Sequence, residues 1–305
     1  MSGKIIFHIG PPKTATTSLQ IAMEGIGDGR IFYAGTIQPR DQNKGSLCHR
    51  IYRICANKAH NKEEILNFHQ DLRQTLDEKS IVFFSEEMFL VESKEVSAEE
   101  KLKKLRGILE GFDCRILITM RRAESALPSY YQEIFESLPL RLRMDFSAFC
   151  RDNRALCYDY TLLHKRLCDV GFKDVGFLEF EYLASGKADL GALIGDSNFD
   201  GILLDIQKYN VGRSGSTVTE RAIPKVSLKS LGSVARIRWF VDRIGLRRRR
   251  GYKTAVNMLD RIALRPAKTR KLVVPTELLE RFDASYEDAK RRFDVVGGQE
   301  CMAAK

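Results

Sequence analysis

The stretch KIIFHIGPPKTATTSLQ, residues 4–20, contains a strand pattern and the start of a helical pattern, separated by a loop of small and helix-breaking residues. Residues 4–9 form an apolar, β-rich run typical of a buried strand, and helical spacing extends from Thr16 to Met23. Four more β-rich runs follow at 30–35, 80–85, 115–120 and 174–180, and helical spacing recurs at 62–76, 98–109, 124–135 and 158–170. This alternation predicts an α/β fold in which helices flank a central parallel β-sheet.

Length and composition favour one folded domain over residues 1–305. The 305 residues are 44% hydrophobic and 30% charged, which excludes the disordered and fibrous classes. The alternation of strands and helices fades after residue 205, so we expect an irregular basic segment at 205–272. A C-terminal helix is predicted at 275–293, with Thr276 capping its amino terminus.

Composition also bears on location and on metal binding. The opening residues contain only a short apolar run, far below the ~20 residues of a membrane span, so no secretory or transmembrane segment is expected. Seven cysteines without paired spacing argue against a disulfide framework and favour a reducing compartment. The five histidines lack metal-ligand spacing, so no metal site is predicted. We expect a cytoplasmic protein, with peripheral binding at the inner membrane surface left open.

The basic character of the chain is concentrated in one segment. The formal net charge is +10, and residues 236–272 contain thirteen Lys or Arg and two Asp, so this segment carries the whole basic excess. Its arginines, with Trp239 among them, suit an anionic partner such as phosphate, sulfate, a lipid headgroup or a nucleic acid, and contact with an anionic glycan is also possible. A solvated surface is the alternative. Nucleic acid is not the expected partner, because no nucleic-acid-binding signature accompanies the charge.

The loop after the first predicted strand has the composition of an anion-binding site. In parallel sheets, ligands bind beyond the carboxyl ends of the strands, where this loop lies. The helix N–H groups, the hydroxyls of Thr16, Thr17 and Ser18, and the Lys13 ammonium would converge on one anion. The loop is not a Walker A sequence, because Lys13 follows two prolines instead of a glycine. An ordinary strand-to-helix turn would leave Pro-Pro-Lys unexplained.

A second motif begins where the predicted strand at 115–120 ends. The sequence RRAESALPSYYQE (121–133) places Arg121 at the strand edge and Ser129 eight positions later on the next helix. A guanidinium and a hydroxyl together suit a phosphate monoester. Like the first motif, this one lies directly after a strand, where a ligand is expected in a parallel sheet.

The two motifs resemble the nucleotide-binding motifs of sulfotransferases. The first is similar to the family's 5'-phosphosulfate loop, Pro-Lys-Thr-Gly-Thr-Thr-Ser, with Ala15 at the usual glycine. The second is similar to the family's 3'-phosphate site, although Arg122 and Ala123 stand at the usual Asn-Pro. The donor-binding residues implied by the resemblance are Pro12, Lys13, Thr14, Ala15, Thr16, Thr17, Ser18, Arg121, Ser129 and, in the later basic loop at 210–216, Arg213.

This resemblance, which covers residues 4–216, implies a P-loop NTPase-like fold and a specific reaction. The protein would take 3'-phosphoadenosine 5'-phosphosulfate (PAPS) as donor and transfer its sulfuryl group to an acceptor hydroxyl or amine. Adenosine 3',5'-bisphosphate (PAP) would be released, and no metal would be required. Lys13 would stabilise the departing phosphate. A carbohydrate acceptor is expected, because Ser18 stands where aryl and steroid sulfotransferases usually have tryptophan.

Sulfuryl transfer also needs a base for the acceptor. Glu86 and Glu87 follow the strand at 80–85, and the family often uses a glutamate or histidine from a comparable place. A general base typically contributes ~10² to 10⁴ in rate. Glu86 is the first candidate; Glu87 is the second, because continued strand geometry would turn it to the opposite side. His49 is a third candidate, with a helix-surface position as the alternative.

Two other functions remain open. A P-loop kinase or nucleotidase would use Lys13 on ATP phosphates and an acid after the strand at 80–85 for Mg²⁺, but the loop lacks the usual glycines. A membrane-surface or anionic-polymer-binding module would use the segment 236–272, in which apolar residues between arginines suit an interfacial helix. That second alternative leaves both strand-end motifs unexplained.

Overall fold

The structure, a computed structural model, describes residues 3–37, 43–59, 61–93, 95–207 and 271–297, and the backbone of four short strands between 221 and 270. The strands are β1 (Lys4–Ile9), β2 (Ile31–Tyr33), β3 (Ile81–Ser85), β4 (Cys114–Met120), β5 (Asp174–Glu179), β6 (Lys187–Asp189), β7 (Leu203–Asp205), β8 (Arg221–Ile223), β9 (Val226–Ser227), β10 (Ala263–Arg265), β11 (Lys268–Arg270) and β12 (Val295–Val296). The α-helices are α1 (Thr16–Glu24), α2 (Leu47–Ala56), α3 (Lys62–Glu78), α4 (Ala98–Ile108), α5 (Ala123–Ile134), α6 (Leu140–Met144), α7 (Phe146–Cys150), α8 (Tyr160–Asp169), α9 (Phe180–Ala184), α10 (Leu190–Ile194) and α11 (Thr276–Arg292). Short 3₁₀ helices lie at Glu87–Phe89, Phe135–Ser137, Asn153–Tyr158 and Ser197–Phe199.

Six strands form one parallel sheet in the order β12-β5-β4-β1-β3-β2. The predicted parallel sheet is therefore confirmed. β1 lies between β3 and β4, with His8 beside Ser85 on one side and Leu117 on the other. The loop after β1 consequently leaves the sheet at the centre of its carboxyl edge. β12 was not predicted, because two apolar residues are too few to form a recognisable pattern.

Both faces of the sheet are buried, and successive residues of each strand alternate between them. Ile5 and Phe7 of β1 pack into the larger core with residues of α2 to α5 and α8. Ile6 packs into the second core, on the opposite face, with residues of α1 and α10. Because both cores are apolar, the central strands carry hydrophobic residues at nearly every position, which is why they were visible in the sequence.

The helices predicted between the central strands are confirmed, with shifts of a few residues at their ends. The last of them, α8, begins at Tyr160 because the Asp159 side chain caps it by accepting a hydrogen bond from the Leu162 N–H. α2, α6 and α7 were not predicted. Among the helices that the structure describes, none is both long enough and apolar enough to cross a lipid bilayer.

Within 205–272, where an irregular segment is expected, the structure describes four short strands. β8 pairs with β11 and β9 pairs with β10, both antiparallel, so the strands within 221–227 run alongside those within 263–270. Strands this distant in sequence leave no local pattern from which to predict their pairing. The arginine-rich part, 236–262, lies outside the described residues.

The predicted C-terminal helix is confirmed as α11, but Thr276 does not cap it. A capping side chain must belong to the extended residue that precedes the helix. Pro275 occupies that position, Thr276 is the first helical residue, and no side chain supplies a cap hydrogen bond. α11 packs against α8 and α5, the helix that carries the second sequence motif.

Candidate functional site

The loop between β1 and α1 adopts a conformation that side chains other than glycine seldom allow. Lys13 and Ala15 both lie in the left-handed region, with φ of 67° and 61°. The buried Thr14 hydroxyl donates to the Pro11 carbonyl at 2.7 Å, which tightens the turn. Ala15 occupies the N-cap of α1 without a side-chain cap, so the first N–H groups of this helix are available to an anion at the loop.

Two further features of the loop are close packing at Gly10 and a buried hydroxyl at Thr16. A Cβ added to Gly10 would lie 2.6 Å from Thr14 Oγ1 and 2.9 Å from Thr16 Oγ1, so only glycine fits there. Thr16 is 3% exposed, and its hydroxyl has no hydrogen-bond partner within the part of the chain that the structure describes. A buried hydroxyl left without a partner is costly, and a bound ligand oxygen would satisfy it.

Arg121 brings the second sequence motif to this loop. Its Nη1 donates to the Lys13 carbonyl at 2.6 Å, across 108 residues of sequence. Its Nε donates to Ser125 Oγ at 3.1 Å, and the guanidinium carbon lies 4.1 Å from the centre of the Phe180 ring. The two sequence motifs therefore meet at the carboxyl edge of the sheet.

One face of α5 runs beside the loop. Ser125 contacts Arg121, and Glu133, two turns further along, forms an ion pair with Lys13, with 3.1 Å between Nζ and Oε1. The half-buried Ser129 lies four residues from each of them, so it shares their face of the helix. Ser129 therefore lies on the same face of α5 as the two residues that contact Arg121 and Lys13. Glu133 was not among the predicted residues, since nothing in its local sequence relates it to Lys13.

Glu86 is at the expected strand end, but its carboxylate is enclosed. It is 4% exposed, and Oε2 accepts from Thr36 Oγ1 at 2.6 Å. Oε1 accepts from the Met88 N–H at 2.9 Å, so the side chain caps the 3₁₀ helix that follows. These contacts make Glu86 a support of the turn after β3.

Glu87 lies on the more accessible side of that turn. The strand ends at Ser85, and Glu87 is half-buried as the first residue of the 3₁₀ helix. Burial raises the pKa of Tyr130, and the nearby Glu133 and Glu87 carboxylates both raise it further. Glu87 and Glu133, the partner of Lys13, are therefore both close enough to Tyr130 for their charges to act on its hydroxyl.

A buried lysine holds the same turn from inside the protein. Lys101 of α4 has 0% exposure, and its Nζ donates to the Met88 carbonyl and, at 2.6 Å, to the Val91 carbonyl. Burial lowers the pKa of Lys101 to about 8. The turn that carries both glutamates is therefore fixed by buried polar groups.

One predicted residue, His49, lies apart from this arrangement. His49 is half-buried on α2, its Nδ1 accepts from the Gly45 N–H at 3.4 Å, and no described contact joins it to Lys13 or Arg121. Another predicted residue, Arg213, lies outside the described residues.

His8, which the sequence did not single out, forms a polar row beneath the loop. Its Nδ1 pairs with Ser85 Oγ at 2.8 Å and its Nε2 with Thr119 Oγ1 at 2.7 Å, so one imidazole joins the ends of β3, β1 and β4. All three residues are fully buried. Burial lowers the pKa of His8 to about 3, which keeps the ring neutral at physiological pH. The row thus forms an uncharged polar floor for the loop.

Two tyrosines, also missed by the sequence analysis, contact both loops. The Tyr158 hydroxyl donates to the Pro12 carbonyl. The Tyr160 hydroxyl donates to the Arg121 carbonyl at 2.8 Å and accepts from the Arg121 N–H at 2.7 Å. Tyrosines in an apolar helical pattern look like core residues, so the sequence gives no sign of these contacts.

Comparison with known proteins adds no family to this description. No protein-family model matches the chain, and no curated protein matches it.

Proposed function

We propose that this protein is a sulfotransferase with a P-loop NTPase-like fold, which moves the sulfuryl group of PAPS to a hydroxyl or amine of an acceptor. The observation that carries the proposal is the contact of the Arg121 guanidinium with the Lys13 carbonyl, 2.6 Å apart. It joins two phosphate-type motifs at one sheet edge, as a donor with two separate phosphate groups requires. An ordinary strand-to-helix turn would need neither Arg121 nor the unpartnered Thr16 hydroxyl.

The loop and α5 divide the donor between them in this proposal. The 5'-phosphosulfate lies against the amino terminus of α1, where Thr16, Thr17 and Lys13 supply hydroxyl and ammonium donors. The 3'-phosphate lies against Arg121 and Ser129. Both subsites use groups that the fold already holds in place, which lowers the entropic cost of binding.

The reaction is a displacement at sulfur. The acceptor oxygen forms a new S–O bond while the bond from sulfur to the bridging phosphate oxygen breaks, and the electron pair leaves with PAP. Lys13 stabilises the negative charge that develops on that oxygen. The acceptor proton passes to a carboxylate at the site.

Glu87 is the base that we propose, ahead of Glu86 and His49. Glu86 has both carboxylate oxygens hydrogen-bonded and is 4% exposed, so an acceptor would have to displace its cap contacts. Glu87 is half-buried, and its charge, like that of Glu133, the partner of Lys13, raises the pKa of Tyr130. A base must reach the attacking hydroxyl, so accessibility favours Glu87.

A carbohydrate remains the proposed acceptor, on the grounds of Ser18. We also propose that the basic segment 236–272 binds an anionic glycan or the inner membrane surface. The proposed location is the cytoplasm. A kinase is less well supported, because the Thr14 hydroxyl, which would ligate Mg²⁺ in a P-loop kinase, donates to the Pro11 carbonyl inside the loop.

Calorimetric titration tests the donor assignment. We expect the protein to bind PAP without metal and to prefer it to ATP with Mg²⁺. Lys13→Ala and Arg121→Ala should each weaken PAP binding about tenfold or more, the loss expected for a charged hydrogen bond. The matched control is Arg122→Ala, because the neighbouring Arg122 pairs with Glu287 on α11 and should leave binding unchanged. Metal-dependent preference for ATP, or PAP binding indifferent to Arg121, would refute the assignment.

The base is tested by transfer from PAPS to glycan acceptors. Glu87→Gln should lower the transfer rate about 100-fold, as for loss of a general base, with PAP affinity unchanged. Glu86→Gln should act mainly on stability. The reverse result would make Glu86 the base.

A further inference from the structure

Two buried tyrosines, two positions apart, each contact one of the two donor loops. Tyr158 is 0% exposed and Tyr160 is 1% exposed, so their hydroxyls have few alternatives to the contacts they make. Tyr158 donates to the carbonyl of Pro12, the residue before Lys13. Tyr160 contacts Arg121. A single short segment of chain therefore touches the backbone of both motifs.

Tyr160 forms hydrogen bonds with both backbone polar groups of Arg121. Arg121 is the first residue after β4, where the hydrogen-bonded ladder of the sheet ends. The Tyr160 hydroxyl accepts from the Arg121 N–H and donates to the Arg121 carbonyl, so one phenol satisfies both groups. With the backbone held in this way, the guanidinium is directed to the Lys13 carbonyl and over the Phe180 ring.

The segment itself is anchored by the C-terminal helix. Asp159, between the two tyrosines, accepts from Arg281 Nε and Nη2 of α11 at 2.9 and 2.6 Å. Its other oxygen accepts from Ser285 Oγ, also on α11, at 3.0 Å. Asp159 is 6% exposed, so the carboxylate is enclosed, whereas the Arg281 side chain is half-exposed. The tyrosines consequently have a fixed support on the side away from the donor loops.

We propose that Tyr158 and Tyr160 are positioning residues that set the two phosphate subsites separately: Tyr158 sets the loop at Lys13 and Tyr160 sets Arg121. This inference rests on the proposed function, because it assigns the two subsites to a donor that carries both a 5'- and a 3'-phosphate. Neither tyrosine touches the reacting atoms.

The separation follows from which backbone each phenol holds. Loss of the Tyr160 hydroxyl leaves the Arg121 N–H and carbonyl without that partner, so the guanidinium loses its alignment while the loop at Lys13 keeps its Tyr158 contact. Loss of the Tyr158 hydroxyl frees the Pro12 carbonyl and relaxes the loop that binds the 5'-phosphate. In both cases a phenylalanine ring preserves the packing.

The experiment compares PAP with 5'-AMP, which lacks the 3'-phosphate, by calorimetric titration of the full chain. The ratio of the two dissociation constants measures the contribution of the 3'-phosphate. We expect Tyr160→Phe to reduce this ratio about tenfold with little change for 5'-AMP, the size of one well-aligned charged hydrogen bond. Tyr158→Phe should weaken both ligands by the same factor and leave the ratio unchanged.

Two controls separate positioning from general destabilisation. Tyr33→Phe removes a phenol that also donates to a backbone carbonyl, that of Thr36 at 2.9 Å, but contacts neither donor loop, so both affinities should be unaffected. Tyr160→Phe in an Arg121→Ala background should have no further effect on the ratio, because Tyr160 acts through Arg121. A structural role alone would weaken both ligands in every background.

Each result has one meaning. A lower ratio in Tyr160→Phe only when Arg121 is present supports the inference. A wild-type protein that prefers PAP, with a ratio that Tyr160→Phe leaves unchanged, overturns the inference and leaves the proposed function in place. A wild-type protein without preference for PAP over 5'-AMP overturns both. If Tyr160→Phe does not fold, Arg281→Met tests the same support from α11, and an unchanged ratio there overturns the inference.

Discussion

Replacing Ala15 by glycine should relieve a strain that the donor loop now carries. Ala15 has φ 61° and ψ 22°, a left-handed conformation that places its Cβ too close to the following carbonyl. Ala22, in the interior of the same helix, provides a matched control, since both alanines are half-buried and pack against the same core. Only the backbone conformation distinguishes the two sites.

The expected difference can be worked out from that comparison. Each Ala→Gly change removes one methyl group from the same core and increases the entropy of the unfolded chain, so these two effects largely cancel between the sites. At Ala22, glycine should destabilise the protein by roughly 0.5–1 kcal/mol, as in other helix interiors. At Ala15, the left-handed conformation costs an alanine about 1–2 kcal/mol, which glycine avoids. We therefore expect Ala15→Gly to be about 1–2 kcal/mol more stable than Ala22→Gly.

Urea unfolding of the two variants and the wild type measures this difference. Far-UV circular dichroism at one pH and salt concentration gives the midpoint and slope for each protein, and equal slopes are needed for the comparison. If Ala15→Gly loses as much stability as Ala22→Gly, the left-handed conformation at Ala15 carries no strain. The account of the loop as a tight, preformed anion site would then be wrong.

Three further predictions concern the floor and the cation of the site. Gly10→Ala places a Cβ 2.6 Å from Thr14 Oγ1, so it should lower the unfolding free energy by about 1–3 kcal/mol and weaken PAP binding. Urea unfolding curves and calorimetric PAP titrations identical to those of the wild type would contradict this prediction. The pKa of His8 is about 3 in the folded protein against 6.5 in the unfolded chain, so the unfolded state binds the proton more readily and stability is lost as pH falls below 6.5. Between pH 7 and pH 5, the unfolding free energy measured with urea should fall by about 2 kcal/mol more in the wild type than in His8→Gln. Equal decreases in the two proteins would mean that His8 takes up a proton as readily in the folded protein as in the unfolded chain. Glu133→Gln should tighten PAP binding about twofold to fivefold, because it releases Lys13 from a half-exposed ion pair. Calorimetric titration in a Lys13→Ala background should show no such gain, and the same gain there would mean that the effect does not act through Lys13.

The sheet could be predicted from sequence because its strands are buried on both faces. Because β3 is buried on both faces, its residues 81–84 form an uninterrupted apolar run. The helices between the strands instead show apolar residues at helical spacing. The two loop motifs, at 8–20 and 121–133, were recognisable for a related reason. Each directly follows one of these strands, so its place in the fold was known once the sheet was known.

The remaining parts of the site depend on contacts between distant segments. Glu133 meets Lys13, and Tyr158 meets Pro12, across more than a hundred residues, so no local spacing relates them. His8 lies within a strand pattern, and only the order of the strands shows that it joins two hydroxyl groups. For such residues a sequence can suggest burial, but it cannot supply the partner.

The choice between Glu86 and Glu87 shows how one local turn changes the assignment of a site. Alternation along a continuing strand would send Glu86 towards the crevice, but the chain turns after Ser85 because the Glu86 side chain caps the Met88 N–H. Glu86, the residue first expected to act as base, thus caps the turn that carries Glu87. Lys101 holds the same turn from inside the protein, so the position of Glu87 depends on buried groups on both sides of the turn. Loss of the Glu86 cap should therefore destabilise the turn, in agreement with the stability effect expected for Glu86→Gln.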